Sequence, residues 1–135
     1  MSTLKQIEEL TEKGETYIKK QQYIEAINYW EQALKIIPSS ENFNDNKTWL
    51  EISIGDAYFF LGNYNKALDF FLKPEVNDSD NPFILLRLGQ LYFEIEKHDK
   101  ALEYLLKAYI TEGFEIFNDE ESKYLEFLQE HFELE

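Results

Sequence analysis

Residues 14–38 read GETYIKKQQYIEAINYWEQALKIIP, and this stretch decides the fold class. Gly14 is followed three residues later by Tyr17, and nine residues after that by Ala26. Trp30 stands four residues beyond Ala26. Apolar residues that recur at steps of three and four are typical of amphipathic helices. The stretch therefore predicts two helices joined by a short polar turn.

The same pattern occurs three times along the chain. Each copy has a glycine, an aromatic residue, an alanine and a large apolar residue at the same spacing. The columns are Gly14, Gly55 and Gly89; Tyr17, Tyr58 and Tyr92; Ala26, Ala67 and Ala101; and Trp30, Phe71 and Leu105. The second and third copies are offset by 34 residues, and the first and second by 41, which is 34 plus an insertion of seven. Small residues at fixed places indicate helices that cross closely, and stacking of the pairs supplies the core.

The period and its columns resemble the tetratricopeptide repeat. The first copy matches best, because Ala33 and Pro38 also stand where the family has them, whereas the second departs at Pro74. The resemblance covers about residues 4–112. It implies an all-α solenoid of three helix pairs and a C-terminal capping helix, seven helices in a single domain. The implied ranges are 1–135 for the domain, about 4–40, 48–81 and 82–112 for the repeats, and 119–134 for the cap.

Turn and cap residues set the boundaries of the predicted helices. Pro38 stops the second helix, Gly62 ends the third, and Asn81 with Pro82 begins the fifth. The predicted helices span residues 3–20, 23–37, 48–61, 64–73, 82–96, 98–110 and 119–134. The segments between them, including 39–47, 75–81 and 111–118, are expected to be loops or connectors.

Charge limits the classes of partner. The chain has 135 residues, with 27 acidic and 13 basic ones, for a net charge of −14. Such a surface repels phosphate backbones and attracts basic proteins, so we expect a protein partner and no nucleic acid.

Apolar runs are too short to span a bilayer and the N-terminus lacks a signal-peptide pattern, which predicts a cytoplasmic protein without a membrane partner. Cysteine is absent, which excludes disulfides and thiolate metal sites.

Nothing in the sequence indicates catalysis. His98 and His131 are the only histidines and fall in different predicted elements. The segment Asp78-Ser79-Asp80 lacks the glycine and the distant glutamate of a calcium loop. Phosphate-binding loops and nucleophile elbows are also absent. We therefore predict a protein that is not an enzyme and has no catalytic residue, metal or cofactor.

The resemblance also implies a partner-binding surface, because the first helix of each tetratricopeptide pair lines a concave groove. The implied partner-binding residues are Glu8, Thr11, Glu12, Glu15, Trp49, Ile52, Asp56, Phe83, Leu86, Arg87, Gln90 and Glu94. Trp49 and Phe83, at helix starts, are candidates for exposed anchors. Phe59, Phe60 and Phe93 could line the groove or pack between helices. Arg87 could contact the partner or form an internal salt bridge with an acid such as Asp56.

The charges in these positions argue against one known use of the fold. Tetratricopeptide arrays that hold the acidic C-terminus of heat-shock chaperones use basic and amide groups on the groove helices. The corresponding positions here are Thr11 and Glu15, Ile52 and Asp56, and Leu86 and Gln90. This set would repel a carboxylate, so the sequence predicts a different ligand.

The leading functional hypothesis is an immunity protein that neutralises a basic toxin domain. Residues 81–90 and 115–128 are similar to bacterial tetratricopeptide proteins encoded beside polymorphic toxins. The alternatives are a chaperone of the type III secretion kind, which holds a partner segment, and a general assembly scaffold. Between Glu112 and Glu135 there are nine acidic residues and one lysine, so the C-terminal helix is an alternative contact surface to the groove.

Overall fold

The computed structural model of the chain describes residues 2–77 and 81–135. Within these ranges the fold is all α, with eight α-helices and no strand. The helices are α1 (Thr3–Lys19), α2 (Tyr23–Ile36), α3 (Asn44–Leu61), α4 (Tyr64–Phe71), α5 (Pro74–Asn77), α6 (Pro82–Glu94), α7 (His98–Glu112) and α8 (Ser122–His131). The predicted fold class is confirmed, whereas the predicted number of seven helices is wrong.

The additional helix is α5, which lies in a segment predicted to be a loop. Pro74 occupies the first position of α5, where its missing N–H costs nothing and its fixed φ suits a helix. The sequence interpretation treated Pro74 only as a stop for the preceding helix, and α4 does end at Phe71. The remainder of that predicted loop, at residues 78–80, lies outside the described residues.

Two other helices, α3 and α8, have boundaries that differ from the predictions by more than two residues. Helix α3 begins at Asn44 rather than at residue 48, directly after a 3₁₀ turn at Glu41–Phe43, so much of the inserted segment is helical. Helix α8 spans Ser122–His131 rather than 119–134. A second 3₁₀ turn at Gly113–Phe117 continues into hydrogen-bonded turns up to Glu120, which delays the start of α8.

Helix termini follow the expected local chemistry. The Asn81 side chain accepts a hydrogen bond from the Phe83 backbone N–H at 2.9 Å, and Pro82 lies in the first turn of α6. Gly62 ends α3 in the left-handed conformation, with φ of 80°. The positions equivalent to Gly62 in the other two repeats are Gln21 and Glu96, which have φ of 59° and 63°. All three helix pairs therefore turn through a left-handed residue, although only one of them is glycine.

Contacts divide the described residues into two compact units, 1–76 and 77–135. The first unit holds α1 to α4 with most of α5, and the second holds α6 to α8. The single domain inferred from the sequence stays a prediction. The core of the first unit is built by α2 and α3, through Ala26, Ile27, Trp30, Ala33, Leu50, Ile54 and Ala57. In the second unit α6 is buried continuously from Ile84 to Tyr92.

The glycine column marks the closest helix approach in each pair. At each of these glycines, an added Cβ would press into the large apolar side chain of the partner helix. The pairs are Gly14 with Trp30, Gly55 with Phe71, and Gly89 with Leu105. The alanines Ala26, Ala67 and Ala101 are fully buried. The columns that decided the fold in the sequence are thus the residues that set the helix spacing.

Candidate partner-binding groove

A groove with a volume of about 660 Å³ opens in the first unit between α1, α3 and the beginning of α2. It is lined by charged, polar and aromatic side chains from these three helices and from the turn between α1 and α2. The lining residues are Glu15, Ile18, Lys19, Gln21, Tyr23, Trp30, Trp49, Ser53, Asp56, Ala57 and Phe60. Three of the residues predicted to bind a partner, Glu15, Trp49 and Asp56, therefore lie together.

Two tryptophans form one end of the aromatic surface. Trp30 is 3% exposed and its Nε1 donates a hydrogen bond of 3.1 Å to the backbone oxygen of Thr11. The Trp49 ring packs edge-to-face on Trp30, with centroids 5.7 Å apart, and stays 41% exposed. Trp30 is thus fixed by the fold and in turn holds Trp49 at the surface. Thr11 acts here through its backbone rather than its side chain.

Phe60 forms the other end of the aromatic surface. Its ring stacks on Tyr23 with centroids 5.7 Å apart and meets Phe59 edge-to-face at 5.4 Å. Phe60 is 53% exposed although three aromatic rings meet here. The sequence left open whether Phe59 and Phe60 are core or groove residues; Phe60 lines the groove, and Phe59 is half-buried behind it. Large exposed aromatic rings held rigid by their neighbours are suited to partner contact.

The charged lining residues are Glu15, Asp56 and Lys19, so carboxylates outnumber the cation. Two further predicted residues, Glu8 and Glu12, are exposed on α1 about two turns and one turn before Glu15. They extend the negative potential along α1 without lining the groove floor. Ile52 is half-buried on α3. Aromatic rings flanked by carboxylates favour a positively charged group, through cation–π and ionic contacts.

The predicted partner-binding residues on α6 make contacts inside the second unit. Leu86, Arg87 and Gln90 are 2%, 4% and 0% exposed. Arg87 Nη1 donates to Glu120 Oε1 at 2.6 Å and to Gln90 Oε1 at 2.7 Å. Gln90 Nε2 donates to the same Glu120 oxygen at 2.8 Å. An internal salt bridge was one of the two roles predicted for Arg87. Its partner is Glu120, which the sequence did not indicate because it lies 33 residues away along the chain.

Phe83 and Glu94 are also engaged in the second unit. The Arg87 guanidinium lies over the Phe83 ring, 4.8 Å from its centroid. Glu94 Oε1 accepts a hydrogen bond of 2.9 Å from the Tyr124 hydroxyl and lies 2.6 Å from Lys123 Nζ. The Glu94 contacts join α6 to α8. In this unit predicted partner-binding residues of α6 therefore bind the chain's own C-terminal segment, at Glu120 and in α8.

Among the lining residues that the sequence did not identify are Lys19, Gln21 and Tyr23. They come from the end of α1, the turn and the start of α2, whereas the predicted set was restricted to the first helix of each pair. The left-handed φ of 59° at Gln21 shapes this turn. A non-glycine residue in that conformation is rarely recognisable from sequence.

No group of histidine and carboxylate side chains within residues 2–77 and 81–135 could hold a metal ion. His98 and His131 instead pack on either side of Phe127, with ring centroids 5.3 and 5.0 Å from it. No helix in the described part of the chain is both long and apolar enough to cross a membrane.

Comparison with known proteins agrees with this architecture. Tetratricopeptide-repeat family models match residues 7–73 and 84–109, which together make up about two thirds of the chain. The chain therefore belongs to the tetratricopeptide-repeat family, a class of protein–protein interaction modules. A search of curated protein sequences found no match.

Solved structures with the same fold include three proteins of low sequence identity. The Arabidopsis OM64 tetratricopeptide domain superposes with a TM-score of 0.72 at 20% identity, covering 97% of this chain and 100% of that one. The first tetratricopeptide domain of Spaghetti (RPAP3), bound to the HSP90 peptide SRMEEVD, gives 0.69 at 22% identity, covering 93% of each chain. MamA gives 0.65 at 18% identity, covering 91% of this chain and 74% of that one.

Proposed function

We propose that this protein-interaction module binds a basic segment of a partner protein in the groove of the first unit. The observation that carries the proposal is the exposed pair of rings, Trp49 and Phe60, in one groove with Glu15 and Asp56. An arginine or lysine side chain of the partner would lie against the rings and pair with the carboxylates. The net charge of −14 would speed the encounter with such a partner.

The proposed ligand has the opposite charge to that of one structural relative. The Spaghetti domain is bound to the peptide SRMEEVD, which ends in acidic residues. In this chain the groove carboxylates Glu15 and Asp56 would face such a peptide, with Lys19 as the lining cation. Like charges across an interface oppose binding, so we expect SRMEEVD to bind far more weakly than a basic peptide.

Intrinsic fluorescence offers a direct test, because the chain has two tryptophans and both line the groove. The intact chain would be titrated with an arginine-rich peptide, with SRMEEVD and with an uncharged peptide of the same length. We expect a saturable change in tryptophan emission with the basic peptide, at lower affinity as salt is raised. Equal or tighter binding of SRMEEVD would refute the proposed charge preference.

Variants would then locate the binding surface. Glu15→Gln together with Asp56→Asn should lower the affinity for the basic peptide roughly tenfold, equivalent to about 1.4 kcal/mol of binding free energy. The matched control is Asp99→Asn together with Glu103→Gln, which removes two exposed carboxylates on α7 in the second unit. If the control weakens binding as much as the groove variant, general negative charge or the acidic C-terminal segment is the contact surface, and the groove proposal fails.

An immunity protein that neutralises a basic toxin domain is the specific form of this proposal that the negative charge and the groove support. Such a partner would occupy the groove with a basic surface of its own. Co-expression of the chain with a basic toxin domain encoded beside it should protect the cell, and the Glu15→Gln, Asp56→Asn variant should not. Stabilisation of an otherwise insoluble secretion substrate, without protection, would instead favour the chaperone alternative, and capture of a housekeeping assembly would favour the scaffold.

A further inference from the structure

A buried carboxyl group lies on α3 on the side opposite the groove. Glu51 is 2% exposed, and it follows Trp49 by two residues, which places it about 200° around the helix. No N–H or O–H group of the described residues donates to its Oε1. Burial of an ionised carboxylate with an unsatisfied oxygen is costly, so the protonated form of Glu51 is favoured here.

The neighbours of Glu51 come from α3 itself and from the segment that enters α5. Glu75, at the second position of α5, is in hydrogen-bonding contact with the Glu51 carboxyl. Lys73 Nζ lies 3.6 Å from Glu51 Oε2, and Lys47 Nζ lies 3.6 Å from Glu75 Oε1. The next residue, Val76, is 1% exposed. Two carboxyl groups and two lysines therefore meet where α5 packs near α3.

Two carboxylates in contact do not both ionise readily, so one proton is held by the pair. Burial, and after it the hydrogen bond and negative charge of Glu75, raise the pKa of Glu51 to about 7 against the opposing effect of Lys73 and Lys47. The pKa of Glu75 is lowered by a hydrogen bond from its own backbone N–H and by the hydrogen bond with Glu51. Glu51 is consequently the proton donor and Glu75 the ionised acceptor.

We propose that the Glu51–Glu75 contact is a proton-dependent clasp, which fastens α5 to α3 when Glu51 is protonated and releases it when Glu51 ionises. The proton passes from the Glu51 O–H to solvent, and the hydrogen bond is replaced by repulsion between two carboxylates. Since the pKa of Glu51 lies above its ordinary value of 4.5, the clasp is closed in acid and opens as pH rises through about 7. The clasp acts on residues 73–77, where the chain passes from the first unit to the second, and it does not depend on what the groove binds.

Hydrogen exchange of the intact chain tests the clasp. The amides of residues 75–77 would be followed at pH 6 and pH 8, with rates corrected for the intrinsic effect of pH. We expect their protection to fall about tenfold, because the protonated fraction of a group with a pKa near 7 changes by that factor. In Glu51→Gln the amide still donates to Glu75 and does not titrate, so protection should be the same at both pH values. The surface control Glu103→Gln should behave as wild type.

Carbon NMR of the glutamate carboxyl groups gives an independent measurement. We expect one glutamate to titrate near pH 7 in the wild type, to be absent from Glu51→Gln, and to titrate at lower pH in Glu75→Gln because the neighbouring charge is gone. The proposal is overturned if no glutamate titrates above pH 6, if Glu75→Gln leaves the titration unmoved, or if Glu51→Gln keeps the wild-type pH dependence of protection at residues 75–77.

Discussion

Helices α3 and α6 are first helices of successive repeats, yet equivalent positions have opposite roles in them. At the offset of 34 residues, Ser53 corresponds to Arg87 and Asp56 to Gln90. The α3 residues line an open groove, whereas the α6 residues are buried and bonded to Glu120. A repeat position therefore fixes the side of the helix on which a residue lies, but not its function. What the position does depends on whether another part of the chain covers it.

The largest test removes the segment that covers α6. Deletion of residues 119–135 would take away Glu120, Tyr124 and Leu128, of which the last two are 2% and 0% exposed. It would leave Arg87 without this carboxylate and expose the apolar side of α6. We expect the second unit to unfold and the product to aggregate. Circular dichroism and size-exclusion chromatography would measure both effects, and a monomeric product with wild-type helicity would show that α8 is dispensable.

The next test compares two equivalent residues directly. Arg87→Ala removes the cation that pairs with Glu120 and the donor to Gln90 Oε1, and among the described residues Glu120 keeps only the Gln90 amide as a donor, so the change should lower the free energy of unfolding by about 3 kcal/mol. Ser53→Ala, at the equivalent position in the open groove, should change it by less than about 0.5 kcal/mol. Urea denaturation would give both values. Similar losses in the two variants would contradict the contrast between α3 and α6.

A third test concerns Glu51, whose equivalent on α6 is the buried apolar residue Leu85. The pKa of Glu51 is raised from 4.5 to about 7 in the folded chain, so the folded state binds more protons than the unfolded state between these values. Its contribution to stability is therefore full below pH 4.5 and is lost as pH rises to about 7. The loss would amount to about 3 kcal/mol.

Glu51→Leu should abolish this part of the pH dependence and make the protein more stable than wild type at pH 8. Thermal denaturation between pH 4.5 and pH 8 would show the difference between the two proteins. Since the pKa of Glu75 depends on its hydrogen bond with Glu51, the difference reports the titration of the Glu51–Glu75 pair. A variant that loses stability in parallel with the wild type over this range would contradict the assignment.

The smallest effect on stability is expected at Trp49. Because the Trp49 ring is 41% exposed, Trp49→Ala should lower the free energy of unfolding by about 1 kcal/mol or less. The same change should reduce the binding free energy of the basic peptide by about 2 kcal/mol. The variant keeps Trp30 as a fluorescent reporter in the groove. If the variant loses more free energy of unfolding than free energy of binding, Trp49 is a packing residue rather than an anchor.

Local chemistry made much of the fold predictable. The glycine, alanine and aromatic columns indicate the helix spacing directly. Gly14 faces Trp30 and Gly89 faces Leu105, which is the large apolar residue of the same repeat in each case. The groove residues Trp49 and Asp56 were predictable because they share one side of a single helix. The burial of Arg87 was not, since it depends on where a segment 33 residues away packs. Helix α5 was missed because Pro74 is compatible both with the end of one helix and with the beginning of another.

The left-handed turn residues have a consequence for how the repeats can vary. Gln21 and Glu96 hold a conformation that costs a side-chain-bearing residue about 1–2 kcal/mol, while glycine there would lose about 0.5–1 kcal/mol through its greater freedom when unfolded. The two costs offset each other in part and leave glycine favoured by only about 0.5–1 kcal/mol. Replacement of glycine by a polar residue at this column is therefore tolerated, and the repeats can diverge in sequence at their turns while the helix crossings stay the same.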